Sequence, residues 1–545
     1  MSTTRFRRAV IGLLGGAVAI LTAGSSAGAA AAAGEGVGIR AGTAVQVDAG
    51  QVDAPVPTIT WRPCPWYPSA RCATASAPLD YDNPTGPTIL LDLVKMPAKD
   101  QAHRLGTIFV NPGGPGGSAS HFAPTAAYYL GSSVSARYDV IGIDPRGVGD
   151  HAQMVCHTTV PQPPAPGYFP VSLREAEINW RSAQWERAAC TDDPGRIVAH
   201  MSTADTARDM DLIRQAVGDP RLNYYGVSYG TYLGTTYASM FPTKVGHVIV
   251  DAVLDPVAWA TGTGRPPLMP FSTRLKSARG AYEALTSGLA ECDKAGKARC
   301  AFAGHARAKF EKLVDLARAG TLKSGPNEPL PYATLIGGTL GGLYGHDYTL
   351  LMDNFQELWD YNMRVPGASA DRATAAAGGL AAAAATISTA PYITPLARQT
   401  ISDAFSGVAC SDSRNPRSLD AWWNAGRMQD EEYPWFGSLW TWASSTCGGW
   451  PGTTMADAFL GPFGGKTAKP VLVIGNRYDP ATPIQGAERV ARLFTNSRLL
   501  RTLEWGHGAL ENACVRKAFA DYYVRDTLPA PGSVCRANAP LYPGS

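Results

Sequence analysis

The sequence predicts an α/β protein, a mostly parallel sheet flanked by helices with a large, mainly helical domain inserted into it. Three observations carry this prediction. Between residues 106 and 256, short β-rich runs alternate with Gly or Asp turns and helix-compatible stretches. Two further strand-like runs return at residues 470–475 and 497–503. The chain between these blocks is far longer than the strand and helix needed to join them, so residues 259–463 are expected to form a domain of their own. The sheet-forming core then comprises residues 59–258 and 464–545.

Composition narrows the classes. With 545 residues, 45% hydrophobic and 17% charged, the chain buries a large core and is not a disordered protein. Lys and Arg total 48 against 45 Asp and Glu, and no basic block is long enough to track a phosphate backbone, which argues against nucleic acid as a partner. The 58 Gly and 42 Pro fit a loop-rich exported protein better than a helical bundle.

The first residues fit export. Arg5, Arg7 and Arg8 precede an apolar run over residues 9–23 and then Ala27-Gly28-Ala29, the layout of a secretory signal, with cleavage expected near Ala29 or Ala30. The run is shorter than the ~20 residues of a spanning helix, and no Cys follows it to carry a lipid. Residues 1–30 are therefore expected to be a signal peptide that leaves a soluble, extracellular protein with no membrane partner. Residues 31–58, rich in Ala, Gly and Val, are expected to be a flexible extension or pro-segment.

Ten cysteines in an exported chain suggest five disulfides. Spacing suggests that neighbours pair: Cys64 with Cys72, Cys156 with Cys190, Cys292 with Cys300, Cys410 with Cys447 and Cys514 with Cys535, although spacing alone does not determine connectivity. No C-x-x-C occurs and no His stands at ligand spacing from a Cys pair, so neither metal nor cofactor is expected.

In chain order, the run over residues 107–110 ends in the glycine-rich Asn111-Pro112-Gly113-Gly114-Pro115-Gly116-Gly117-Ser118. The run over 138–143 ends in Asp144-Pro145-Arg146-Gly147, and that over 222–227 ends in Ser228-Tyr229-Gly230, followed by a helix-compatible stretch over 231–240. Gly226-Val227-Ser228-Tyr229-Gly230 matches G-x-S-x-G in the strand–turn–helix setting the motif requires. Small residues on either side permit a turn so tight that the serine is strained and its hydroxyl exposed. The following helix points its positive end at that hydroxyl.

A serine becomes nucleophilic only with a base and an oriented acid. Asp479 follows the strand run 470–475, and His507 follows the run 497–503 within Glu504-Trp505-Gly506-His507-Gly508. Ser228, Asp479 and His507 stand in the chain order of the α/β-hydrolase triad, each just past a strand end, where catalytic groups gather in open α/β sheets. The remaining eight histidines lack this setting, although His121 is near the glycine-rich loop in sequence. That loop lets backbone N–H groups approach a ligand. The expected oxyanion donors are the N–H groups of Gly114 and of Tyr229, the residue after the nucleophile. No Gly-Lys-Ser/Thr ends the loop, which excludes a P-loop.

Together with the tail PVLVIGNRYDPATP, WGHG, Cys514 and Cys535, these motifs resemble the secreted bacterial tripeptidyl aminopeptidases, in the proline iminopeptidase-like branch of α/β-hydrolases. The resemblance spans residues 61–535 and is weakest in the middle. It implies a triad of Ser228, Asp479 and His507, an oxyanion donor at Gly114, a helical cap over the site, action on free N-termini and no metal. One departure from the iminopeptidases is Pro112, preceded by Asn111, where they carry a His before the Gly-Gly pair. This is the tripeptidyl aminopeptidase form and shifts the expected substrate toward longer N-terminal pieces.

Within the cap, residues 272–295 and 305–319 read as helices, and 368–389 as an Ala-rich helix or loop. Trp422, Trp423, Tyr433, Trp435, Trp440, Trp442 and Trp450 are candidates for lining a peptide cleft or for ordinary cap core. An aminopeptidase must also hold a protonated amine, for which Glu431, Glu432, Asp412 and Asp353 are acidic candidates in the cap. The chain is therefore expected to be a monomeric, secreted serine exopeptidase acting on peptide or protein N-termini and releasing tripeptides or similar short pieces. The alternative is a secreted carboxylester hydrolase using the same triad, because elbow and triad do not encode amide against ester.

Overall fold

The computed structural model describes residues 52–543 apart from 165–166, 193–194, 263–268, 389–390, 394–397 and 452–454. The expected signal peptide and most of the expected extension lie outside the described residues.

Thirteen strands are described: β1 (Arg62–Pro63), β2 (Arg71–Pro78), β3 (Thr88–Met96), β4 (Gly106–Asn111), β5 (Tyr138–Ile143), β6 (Cys156–Thr158), β7 (Leu222–Val227), β8 (Val245–Asp251), β9 (Tyr392–Ile393), β10 (Gln399–Ser402), β11 (Val471–Tyr478), β12 (Arg498–Trp505) and β13 (Val534–Cys535). Ten form one sheet in the order β1-β2-β3-β5-β4-β7-β8-β11-β12-β13. β1, β2, β3 and β5 pair antiparallel in succession, and the remaining pairings are parallel. This is an α/β-hydrolase sheet. β2 and β3 are additions to the strands read from sequence. Their signal was weak, because β3 mixes exposed Leu90 with buried Leu91 and Leu93 in a half-covered edge region.

The central strands are mostly apolar and buried because helices cover both faces. Ile108, Tyr225 and Leu472 pack with Ala123, Val515 and Phe519 on one side. Phe109, Tyr224 and Val473 pack with Ala207, Ile213 and Leu233 on the other. The period-two alternation of side chains assigns neighbours such as Tyr224 and Tyr225 to opposite faces.

Between β8 and β11 the chain is mainly helical. Ser277–Ala295, Ala306–Arg318, Tyr332–Leu343, Thr349–Asn362, Ala370–Thr386 and Leu419–Glu432 bury a hydrophobic cluster of their own that includes Leu285, Phe310, Leu340, Phe355 and Trp422. The helix expected from residue 272 is broken, since Phe271–Arg274 and Ser277–Ala295 are separated by Lys276 at φ 62°. The Ala-rich stretch is the helix Ala370–Thr386, with Ser369 capping its first turn.

This layer also recruits chain from outside residues 259–463. Trp180, on the helix Leu173–Asp192, joins its core and lies 6.2 Å from the Trp422 ring. β6 pairs antiparallel with β10. All five neighbouring cysteine pairs are bonded. Among the described residues no helix is long and apolar enough to cross a membrane.

Candidate active site

Ser228 occupies the turn between β7 and the helix Tyr229–Met240, with φ 58° and ψ −125°, a region a non-glycine residue enters only when its surroundings force it. Several contacts supply that force. The Ser228 N–H donates to the Asp251 carbonyl at 3.1 Å, and the Thr231 N–H donates to the Ser228 carbonyl at 2.8 Å. The Tyr224 hydroxyl donates to the Gly230 carbonyl at 2.7 Å. A Cβ at Gly230 would lie 2.6 Å from the Asn111 carbonyl oxygen, so only glycine lets the helix start this close to the end of β4.

Asp479 and His507 follow β11 and β12. His507 Nδ1 lies 3.0 and 3.1 Å from the two Asp479 carboxylate oxygens. Asp479 Oδ1 also accepts from the N–H groups of Ala481 at 2.9 Å and Thr482 at 2.8 Å, and Oδ2 accepts from the Thr482 hydroxyl at 2.9 Å. Burial alone would raise the Asp479 carboxyl, but the imidazole and these donors outweigh it and hold it below its usual value. Burial opposes charge on His507 as well; attraction to Asp479 and then Asp251 overcomes it, and the imidazole titrates above its ordinary value.

Ser228, His507, Thr482 and Gly114 face one cavity of about 370 Å³, roofed from the cap by Tyr344 and Trp440. Gly114 sits at φ 108° in the loop after β4, whose Gly113 N–H donates to Asn111 Oδ1 at 2.9 Å. A Cβ on Gly113 would fall 2.9 Å from the Tyr229 nitrogen, which shows how closely this loop lies against the helix start. Among the described residues neither the Gly114 nor the Tyr229 N–H has an acceptor. All five residues singled out in the sequence thus gather at one end of the sheet. A strained serine, a carboxylate-held imidazole and two unengaged amides are the parts that acyl transfer needs.

The cap touches both supporting loops. The His507 N–H donates to the Tyr344 carbonyl at 3.0 Å, and the Tyr344 ring packs 4.9 Å from the imidazole. Gly280, on the helix Ser277–Ala295, is so close to the Asp479 backbone that a Cβ there would meet its carbonyl oxygen at 2.5 Å.

Asp251, at the end of β8, is a contributor that sequence reading missed. Fully buried, with its carboxyl pushed up to about 6 by burial, it accepts from the Tyr225 hydroxyl at 3.1 Å and from the Ala509 N–H at 2.9 Å. Its carbonyl holds Ser228, so one residue ties the serine turn to the histidine loop. An acid at a strand's carboxyl end was the available signal, shared with Asp144 and Asp479.

Other candidates have different places. Asp144 braces the glycine-rich loop, accepting from the Ser118 hydroxyl at 2.9 Å and the Ser120 hydroxyl at 2.8 Å. Arg146 is buried against Asp209 at 2.8 Å and donates to the carbonyls of Pro78 and Leu79 at 2.6 Å each. His121 packs on Trp66 and does not line the cavity. Asp412 lies beneath the elbow helix, accepting from Thr203 N–H at 2.7 Å, while the Thr203 hydroxyl also bonds the Tyr229 hydroxyl. Burial pushes Asp412 up to about 7. Glu431, Glu432 and Asp353 are exposed, so none of these four acids reaches the cavity. Of the cap tryptophans, Trp440 lines it, whereas Trp422 and Trp435 are core. Asp80, His200 and Asp457 bring potential metal-ligand atoms within 4.8 Å of one another away from this cavity. Asp457 raises the His200 pKa, which favours an ion pair there.

Residues 106–288 match the family described as alpha/beta hydrolase fold, and residues 433–535 match that described as TAP-like protein. The chain is 28% identical over 485 residues to a tripeptidyl aminopeptidase of Streptomyces coelicolor, covering 86% of this chain and 83% of the relative. It is 27% identical over 514 residues to serine protease Hip1 of Mycobacterium tuberculosis, covering 88% and 91%. It is also 29% identical over 520 residues to carboxylesterase B of the same organism, covering 91% and 94%.

Proposed function

We propose that the chain is a tripeptidyl aminopeptidase-like α/β hydrolase, a secreted serine exopeptidase releasing tripeptides from free N-termini through an acyl-enzyme. The observation that carries this reading is the convergence of Ser228, His507 and Gly114 on one cavity under an aromatic cap wall. The tripeptidyl aminopeptidase and serine protease relatives support peptide substrates. The five disulfides support an oxidising, extracellular setting.

In the proposed reaction, Ser228 Oγ attacks the carbonyl carbon of the scissile peptide bond while His507 Nε2 takes the hydroxyl proton. Negative charge moves to the carbonyl oxygen, where the Gly114 and Tyr229 N–H groups receive it. Collapse breaks the C–N bond, and His507 returns the proton to the leaving amine. Water then repeats the sequence on the ester, freeing the short peptide and Ser228. Asp479 keeps Nδ1–H pointed at itself and Nε2 free to act, and it stabilises the imidazolium that forms transiently.

The same parts would hydrolyse an ester, a second reading favoured by the carboxylesterase B relative. A chromogenic tripeptide anilide, its N-acetylated twin and a short-chain nitrophenyl ester separate the two. Release from the free-amine peptide alone is expected. Equal cleavage of the blocked peptide, or turnover of the ester only, would overturn the exopeptidase reading.

A further inference from the structure

An exopeptidase acting at N-termini must hold an ammonium group, yet among the described residues no Asp or Glu lines the Ser228 cavity. A second cavity of about 380 Å³ adjoins it, the two sharing Ile387, Ser388, Leu439 and Ala443 in their walls. Glu186, on the helix Leu173–Asp192, lines this second cavity and is only 4% exposed. Its Oε2 lies 3.4 Å from the Thr446 hydroxyl, and its carboxyl is hydrogen-bonded to that of Asp403.

A second carboxyl stands beside it. Asp403, 5% exposed, caps the helix Ala404–Asp412 by accepting from the Ser406 N–H at 2.9 Å, and Ser406 lines the same cavity. Burial first, and the Asp403 carboxylate second, hold Glu186 well above its usual range, and burial raises Asp403. The neighbouring cation attracts Glu186 but is bonded elsewhere. Arg187 donates to the Ser445 carbonyl at 3.2 Å, its guanidinium lies 4.7 Å from the Trp180 ring centroid, and no ion pair with Glu186 forms among the described residues.

Buried carboxyl groups are ordinarily hydrogen-bonded to neutral donors or paired with a cation, and an acid in a cavity wall whose close partner is another acid calls for an explanation. A cationic donor from a ligand supplies one. We propose that Glu186, backed by Asp403, binds the α-ammonium of the substrate, seating the first residue in this cavity with the scissile carbonyl over Ser228. The proposal rests on the exopeptidase reading above. A three-residue acyl portion spans about 10 Å from amine to carbonyl, so it would cross the shared wall between the cavities.

The test compares kcat/KM for a tripeptide anilide and its N-acetylated twin in the wild type, Glu186→Gln and Asp403→Asn. Fluorophosphonate labelling of Ser228 reports that each variant is folded. Asn preserves the cap to Ser406, so Asp403→Asn is informative even if Glu186→Gln does not fold. The expected result is a strong wild-type preference for the free amine that falls about 10- to 100-fold in Glu186→Gln, the range for losing a charge-assisted hydrogen bond. A smaller fall is expected in Asp403→Asn. Undiminished preference in both folded variants, or an equal fall on the free and blocked peptides, overturns the proposal and leaves the exopeptidase reading standing. A wild type that cleaves both peptides alike overturns that reading and the proposal with it.

Discussion

Gly280 offers a test of how the cap and the acid loop depend on each other. In Gly280→Ala the new methyl would stand 2.5 Å from the Asp479 carbonyl oxygen, 3.4 Å from Pro483 Cβ and 3.5 Å from the Pro480 carbonyl carbon. Ordinary contact begins near 3.4 Å, so the helix and the loop must separate by about 0.9 Å. The obstructing atom is backbone and has no rotamer through which to step aside. Removing glycine from a helix interior contributes about 0.5–1 kcal/mol of stability. Overpacking a tight contact costs about 1–3 kcal/mol, so sterics win and net destabilisation of up to about 2 kcal/mol is expected.

Catalysis should suffer more than stability, because the displaced carbonyl belongs to the residue whose carboxylate orients His507. Misplacement on the scale of 1 Å costs about 100-fold in rate. The measurements are kcat/KM on a tripeptide anilide, the rate of fluorophosphonate labelling and a urea denaturation curve. A variant with wild-type turnover and an unshifted midpoint would refute the cap–loop contact from which the prediction is worked.

Replacing the proposed triad members gives the remaining kinetic expectations. Ser228→Ala should lower kcat by about 10⁶ and Asp479→Asn by about 10⁴, by analogy with other triads, and near-normal turnover in purified Ser228→Ala would remove the serine mechanism. Since Asp479 raises the His507 pKa above 6.5, the acid limb of kcat/KM should have its midpoint above 6.5. Activity is present above that midpoint, where neutral imidazole accepts the serine proton, and is lost below it. Asp479→Asn should move the midpoint downward, and an unmoved limb would count against the pairing. The Cys410–Cys447 bond joins the helix carrying Asp412 to the cap chain after Trp442. Its removal in Cys410→Ser/Cys447→Ser should cost about 2–5 kcal/mol in chemical denaturation, and an unchanged midpoint would show that packing alone holds this junction.

Local chemistry made much of this protein legible before any fold was seen. G-x-S-x-G is readable because a strand-to-helix turn of this tightness leaves its requirements in five consecutive residues. Asp479 and His507 are readable because each follows an apolar run and precedes turn residues. The sheet's central strands announce themselves by continuous burial, and an even set of cysteines at short spacings suggests the bonded pairs. By itself, then, the sequence determined the fold class and the central sheet, and it singled out the residues that gather at the candidate site.

Only the tertiary structure decided what surrounds those residues, because the relevant partners are distant in sequence and carry no shared motif. Asp251 joins the serine turn to the histidine loop through contacts 23 and 258 positions away. Asp412 looked available for a substrate amine but is spent beneath the elbow, since the end of its helix runs into the core. Glu186 reads as one more charge in a helix of ordinary composition. It becomes a candidate anchor only when Leu173–Asp192 packs against the cap, bringing its carboxyl beside Asp403 and the cavity next to Ser228. Side-chain type and local spacing prescribe a turn or a strand; burial, charge partnership and the shape of a cavity are set by which distant segments meet.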